Sequence, residues 1–429
     1  MRTHLFSAAC HIKCLCSNHP RRRAKTACFM AFPLFLFCIC NSVLAADVPM
    51  SDAELLPGKE VRITAPKTGK TFLLYIPVDY TDKRPFPVIF YYHGYRGTAT
   101  TRMFRHITKG EGFIIIGMNY ATDDYYKGHL PPTKTAPEKA FFHEVVALVS
   151  ARLNIAMDYI FMAGYSQGGY STTVLGEQLL DRLAGFLILG AGRRNVDTEP
   201  PPAELIRGHP IFYGAGELDD PHYPRAKRAS GFYTEWGADV TFEGWPDETH
   251  SLSPKWSTKT KMREWLIAYG PAKQVKSGFE KAQIAENDRR LGEAFTLYAQ
   301  IAEILPDTEL CRIAKESAIR LTTQAETQLD QLKKAGDKKP YAEVVKALEM
   351  FRNTYSKSVF AARATQLLSE LLNAKADALE KRARAAETQK NYARALQLYE
   401  LYLTYFPEAK RYPEVQKHLK NLKNKTGTK

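Results

Sequence analysis

Apolar runs of strand length recur between residues 60 and 270. Residues 61–64 and 71–76 alternate or run apolar and predict an opening antiparallel pair. Residues 87–92 and 113–118 are apolar without alternation, as strands covered on both faces must be. Helical spacing follows over 140–153, then a short run at 159–163, and a second helix-like segment over 169–180. Runs at 185–189, 210–213 and 240–242 bring the total to about eight strands, and 254–269 reads as a closing helix. Strands that alternate with helices predict a doubly wound α/β sheet, with its site at the carboxyl ends of the strands.

Beyond residue 271 the strand signal stops. Segments 291–306, 341–356 and 392–407 align without gaps. Leu291-Gly-Glu-Ala-Phe-Thr-Leu-Tyr298 matches Tyr392-Ala-Arg-Ala-Leu-Gln-Leu-Tyr399, with a weaker copy from Tyr341. Between them run long helical patterns, as at Leu310, Ala314, Ala318, Leu321, Ala325 and Leu329. The pattern predicts an all-α stack of helical hairpins, with a plain bundle or coiled coil as its rival. Residues 333–340 read as an internal hinge. The domain division is thus 1–46 leader, 47–270 α/β unit and 271–429 helical repeat-like unit.

The net charge of +14 has two sources. Residues 1–46 hold six bases and no acid, and the chain from 271 onward holds 29 bases against 20 acids. The α/β segment is near neutral, and lysines dispersed on helices read as a solvated face rather than a nucleic-acid site. In the leader, Arg21-Arg22-Arg23-Ala24-Lys25 precedes an apolar core, and Val43-Leu44-Ala45 offers small residues for cleavage. Residues 27–46 are uncharged and just long enough to cross a bilayer. Polar Asn41 and Ser42 before the small-residue site favour a cleaved export signal over a retained anchor, hence a periplasmic or extracellular protein with no span left after cleavage. Six of seven cysteines lie in this leader, so the mature chain would keep only Cys311 and form no internal disulfide.

The chemistry is concentrated in one pentapeptide, Gly164-Tyr165-Ser166-Gln167-Gly168, placed between a strand and a helix. A serine on such a turn projects its hydroxyl toward a substrate carbonyl, and the glycines free the space the turn needs. The pattern alone is weak. It gains weight from Gly216-Glu217-Leu218-Asp219 after a later strand and from His250 after the last one, in the order Ser, Asp, His. Serine needs histidine as base, and histidine needs a carboxylate to hold its tautomer. Asp220 and Glu217 stand beside Asp219 as alternative acids. For the oxyanion, the amide of Gln167 is one candidate donor and that of Tyr95, after Gly94, the other. His93 reads as a structural residue of that loop. Tyr95, Tyr120, Tyr125, Tyr126, Tyr165 and Trp245 form an aromatic set near the predicted mouth, and Arg193 with Arg194 offers positive charge there. No metal-ligand set and no cofactor loop emerges; His143 with Glu144, and His222 near Asp219 and Asp220, lack the required ligand count.

These residues give a named resemblance. His93-Gly94-Tyr95, Gly164-Tyr165-Ser166-Gln167-Gly168-Gly169, Gly216-Glu217-Leu218-Asp219 and His250 resemble the α/β-hydrolase superfamily, secreted esterase type. The similarity is to polyhydroxybutyrate depolymerase-like, feruloyl esterase-like and dienelactone hydrolase-like proteins, and it covers residues 60–270, about half the chain. The helical half resembles tetratricopeptide-like repeats, although its period of 50 and 51 residues exceeds their usual 34. The resemblance implies an exported serine hydrolase of carboxylic esters working through an acyl-enzyme, its substrates including carbohydrate- or phenolic-linked esters. The alternatives are a serine peptidase on the same fold and a non-catalytic adaptor acting through its helices, whose partner would be another protein. The interval 190–209 is short for a large apolar lid, which argues against a lipase.

Overall fold

In a computed structural model of the chain, the described residues are 55–122, 134–193, 199–251 and 260–427. The leader, Tyr125, Tyr126 and Arg194, and with them the export signal read from the sequence, lie outside these residues.

Eight strands form one sheet: β1 (Glu60–Thr64), β2 (Thr71–Tyr75), β3 (Phe86–Tyr92), β4 (Ile114–Met118), β5 (Ile155–Tyr165), β6 (Gly185–Leu189), β7 (Pro210–Gly216) and β8 (Asp239–Trp245). Their spatial order is β1-β2-β4-β3-β5-β6-β7-β8. β2 runs antiparallel to both β1 and β4, and every later pairing is parallel. The order reverses around β3, so β3 and β5 lie side by side at the centre, where a ligand crevice forms at the strand ends.

Both faces of the sheet are covered, which explains the unbroken apolar runs. On one face Phe72, Phe90, Ile116, Met162 and Ile188 pack under α2 (Ala136–Ser150), α3 (Gln167–Gln178) and α5 (His222–Glu235). On the other, Ile89, Ile115, Phe161, Leu187 and Phe212 meet Phe104 of α1 (Arg102–Thr108) and Trp265 of α6 (Met262–Tyr269). A one-turn helix, α4, spans Ala203–Ile206. Each large side chain so enclosed contributes about 1.5–3 kcal/mol by leaving water. β5 is longer than its apolar core suggests, because its first half carries exposed Met157 and Asp158 where the pairing with β3 shifts register. That bulge hides four strand residues from any reading of hydrophobic pattern.

From Pro271 the chain is helical: α7 (Pro271–Asn287), α8 (Leu291–Ala302), α9 (Glu309–Lys338), α10 (Tyr341–Thr354), α11 (Val359–Thr388), α12 (Tyr392–Tyr405) and α13 (Tyr412–Thr426). The three aligned segments each begin a helix, at Leu291, Tyr341 and Tyr392. Two helices of 30 residues, α9 and α11, separate them and account for the long period. Three apolar clusters succeed one another along the array, and α9 and α11 each belong to two of them. Matching positions make matching bonds: the Tyr298 hydroxyl donates to Glu286 at 3.2 Å, and the Tyr399 hydroxyl to Glu387 at 3.3 Å. The break expected over 333–340 is confined to its end, since α9 continues through Lys338 and stops at Lys339-Pro340. Lysines and alanine at 333–335 sustain a helix, and the proline ends it.

The helical array meets the sheet at the amino ends of its central strands. The Gln274 side-chain amide donates to the carbonyl of Pro85, just before β3, at 2.9 Å. Gln274, Leu297 and Ile301 also line a cavity of about 300 Å³ with Pro85, Ile155 and Tyr159. A larger cleft of about 1030 Å³ lies between Lys83, Arg84 and the helices, edged by Phe295, Lys357 and Val359.

Candidate active site

At the carboxyl end of β5 the chain turns sharply into α3, and Ser166 occupies the turn with φ 53° and ψ −117°. A non-glycine residue there is strained, and the surroundings must hold it. The Ser166 amide donates to Leu189 O on β6 at 2.8 Å, and Tyr170 N donates back to Ser166 O at 3.1 Å. Glycine on either side is a steric requirement. A Cβ on Gly164 would overlap the carbonyl of Gly168, and one on Gly168 would overlap the carbonyls of Tyr92 and His93.

Asp219 and His250 come from the loops after β7 and β8, which are tied to each other. Leu218 N donates to Glu248 O at 3.0 Å, and Gly216 lies against the Glu248 and Thr249 backbone so closely that a Cβ would not fit. Asp219 N closes back onto Gly216 O at 3.0 Å. The result brings the three predicted side chains together. His250 Nε2 lies 2.8 Å from Ser166 Oγ, and His250 Nδ1 lies 2.7 Å from Asp219 Oδ2. With the carboxylate able only to accept, Nδ1 carries the proton and donates, which leaves Nε2 to accept from the serine hydroxyl. The Asp219 side chain is 2% exposed and that of His250 36%, a buried carboxylate beneath an accessible imidazole. Asp220 and Glu217 are exposed.

Gln167 is buried and opens α3. Gly94 faces Ser166 from the loop after β3; a Cβ there would sit 3.4 Å from Ser166 Cβ and 3.2 Å from the Tyr165 ring. Tyr95 follows it with its ring exposed beneath the Arg96 guanidinium. His93 is buried, donates from Nδ1 to Gly94 O at 2.8 Å, and meets the edge of Tyr120. Burial pushes its imidazole below the ordinary value, as suits a ring that braces a loop.

The aromatic set divides. Tyr165 stacks on His250 at 5.2 Å, and burial followed by the charge of Asp219 pushes its phenol up to about 12. Tyr120 is buried, its hydroxyl donating to His93 O at 2.7 Å. Trp245 does not face the mouth: it is buried in the lower apolar cluster against Gly214, and its indole N–H donates to Glu243. A period-two strand end turned its ring inward, a choice the sequence leaves open. Arg193 is also internal, bonded to Glu177 at 2.6 Å and stacked over Trp236. Glu144 clamps the amides of Lys67 and Thr68, so its neighbour His143 has no partner ligand there.

Sequence reasoning weighed His222 only as a metal ligand and missed its stacking position. The residue opens α5 and lies face to face with His250, centroids 4.1 Å apart and planes 20° apart. Asp219, His222 and His250 have donor atoms within 4.8 Å of one another. Nearly parallel imidazoles send their lone pairs side by side rather than to a common point, so this geometry is a stack and not a tetrahedral ligand set. The signal in the sequence was a histidine three residues after Asp219, on the first turn of a helix.

A mostly parallel sheet in this order, with a strained serine between β5 and α3 and acid and histidine after β7 and β8, is the α/β-hydrolase fold. No family model and no curated protein matches the sequence. Among solved structures the chain is similar to a thermostable esterase, at 17% identity and a TM-score of 0.39, over 49% of this chain and 62% of that one. It is also similar to FphF, a fluorophosphonate-binding serine hydrolase of Staphylococcus aureus, at 16% identity and TM-score 0.38, over 49% of this chain and 99% of that one. A CE1 ferulic acid esterase of Anaeromyces mucronatus is a third, at 14% identity and TM-score 0.36, over 46% of this chain and 86% of that one. Among the described residues no helix is long and apolar enough to cross a membrane.

Proposed function

We propose that the chain is an exported serine hydrolase that cleaves carboxylic esters through an acyl-enzyme. The observation that carries this reading is the unbroken run Ser166 Oγ, His250, Asp219 at 2.8 and 2.7 Å, starting from a backbone strained at the serine. In the proposed reaction Ser166 Oγ attacks the ester carbonyl while its proton passes to His250 Nε2. Asp219 holds the imidazole in the required tautomer and stabilises the imidazolium. The amides of Gln167 and Tyr95 would receive the oxyanion, the first of them supported by its place directly after Ser166 at the start of α3. His250 then returns the proton to the leaving alcohol, and a water activated by the same ring releases the acid.

The reading extends to the chain's organisation. Residues 1–46 would be removed on export, 47–270 would carry the chemistry, and 271–429 would present tetratricopeptide-like hairpins to a protein partner. Among the described residues, burial of Trp245 and Tyr120 leaves Tyr95 and Tyr165 as the aromatic surfaces offered to an acyl or sugar group, which keeps phenolic and carbohydrate esters as the substrates to try first.

Turnover of short aryl acetates tests the reading. Wild type should hydrolyse them, with kcat lowered at least about 10³-fold in both Ser166→Ala and His250→Ala, because the members of a triad act as a unit. Equal turnover by Ser166→Ala would remove Ser166 from the chemistry, and preference for peptide anilides over esters would make the chain a peptidase.

A further inference from the structure

We propose that His222 is a positioning residue for His250, one face of a ring sandwich that fixes the plane of the base. The inference rests on the ester-hydrolase reading above and names a part of the site that the triad does not contain.

His250 stands on a loop, outside helix and strand, with a third of its side chain exposed. Of its two hydrogen bonds, the one from Nδ1 to Asp219 alone persists once Ser166 Oγ gives up its bond to Nε2 on attack, and it pins a single atom of the ring. A ring held at one edge can still tilt about that bond, and tilting swings Nε2 away from Ser166 Oγ. Two aromatic neighbours oppose the tilt. Tyr165 lies nearly parallel to the imidazole at 26° and His222 at 20°. Gly190, at φ 55°, makes room for this packing: a Cβ there would approach Tyr165 at 3.0 Å and His250 Cε1 at 3.5 Å.

His222 is itself held. Tyr170, on the first turn of α3, lies with its hydroxyl 3.4 Å from His222 Nδ1, and Tyr223 N donates to Asp219 O at 2.7 Å, fixing the start of α5 to the acid's loop. The groups that face the ring are therefore His250, Asp219, Arg225 and Tyr170. Burial first, then His250 and Arg225, push its imidazole below the ordinary value against the opposing pull of Asp219. A neutral ring suits the position, because a second cation 4.1 Å from the imidazolium formed during catalysis would raise the barrier. What the site requires of residue 222 is thus flat aromatic surface rather than a titrating nitrogen.

Two variants separate those properties. His222→Phe keeps a flat ring and removes the nitrogens, whereas His222→Gln keeps polar atoms of similar reach and removes the ring. The full chain is assayed on a short aryl acetate, with the downfield proton NMR signal of the Nδ1–H between His250 and Asp219 as a second readout. We expect His222→Gln to lose kcat by about tenfold at nearly unchanged KM and to broaden the downfield signal, while His222→Phe stays within about threefold of wild type with the signal sharp. Wild-type kcat and a sharp signal in His222→Gln would overturn the proposal, as would equal loss in both variants. If wild type turned over no ester, the hydrolase reading would fall, and the NMR arm would still decide whether the ring of residue 222 orders His250.

Discussion

The strain at Ser166 and the crowding of its neighbours are one fact seen from two sides. The turn brings Gly164 and Gly168 against each other and Gly168 against the end of β3. Gly168→Ala should therefore destabilise the chain by about 3 kcal/mol, since the new methyl meets backbone that cannot move aside. Chemical denaturation of the full chain checks this, and an unchanged midpoint would mean that the turn is looser than described. Glu138 shows a second cost met locally. Buried at the start of α2, its carboxylate accepts Ala121 N at 2.7 Å, and burial, opposed by those amides and Lys70, pushes it up from 4.5 to about 7. The folded state then keeps a proton that the unfolded chain has lost, so stability falls as pH rises from about 4.5 to 7. Glu138→Gln retains an acceptor without a charge. It should gain about 3 kcal/mol at pH 8 and almost nothing at pH 4, read from thermal melts at the two pH values.

Among the elements, the helical array depends on close backbone approaches of the same kind. Gly292, in the first turn of α8, faces the end of α10, and a Cβ there would overlap the carbonyls of Tyr355 and Ser356. Gly292→Ala should speed amide hydrogen exchange across residues 341–356 while leaving β3 to β7 unchanged; equal exchange in the array would contradict this contact. That glycine lies within an aligned repeat, yet its partner could not be read from the sequence, because alignment reports equivalence and not contact. The sheet was more legible: strands buried on both faces announce themselves by unbroken runs such as Phe86–Tyr92. β5 was only half legible, because its bulge exposes Met157 and Asp158. For the site, spacing and order were enough to name Ser166, Asp219 and His250 as candidates, since each follows a strand the pattern reveals. The stacking of His222 stayed hidden because stacking leaves no mark on periodicity, and Trp245 was misread because an aromatic at a strand end can turn to either face.

Across the whole molecule, the two ends of the sheet have separate tasks. Ser166 lies at the carboxyl ends of the strands, while the helices grip the amino ends through Gln274, Ile301 and the cavity beside Pro85. The clefts described there lie at the opposite end of the strands from Ser166. Substitutions in the larger one, such as Lys357→Glu or Val359→Asp, should leave kcat/KM on a short aryl ester within about twofold of wild type, as surface changes distant from a site do. A larger loss would show that the array reaches the chemistry after all.

Most directly, the account stands on a nucleophile that is already activated in the resting protein. Mass spectrometry of the full chain after exposure to a fluorophosphonate should find one adduct, on the peptide that contains Ser166, and none in Ser166→Ala. An adduct elsewhere, or no adduct under conditions that label known serine hydrolases, would contradict it.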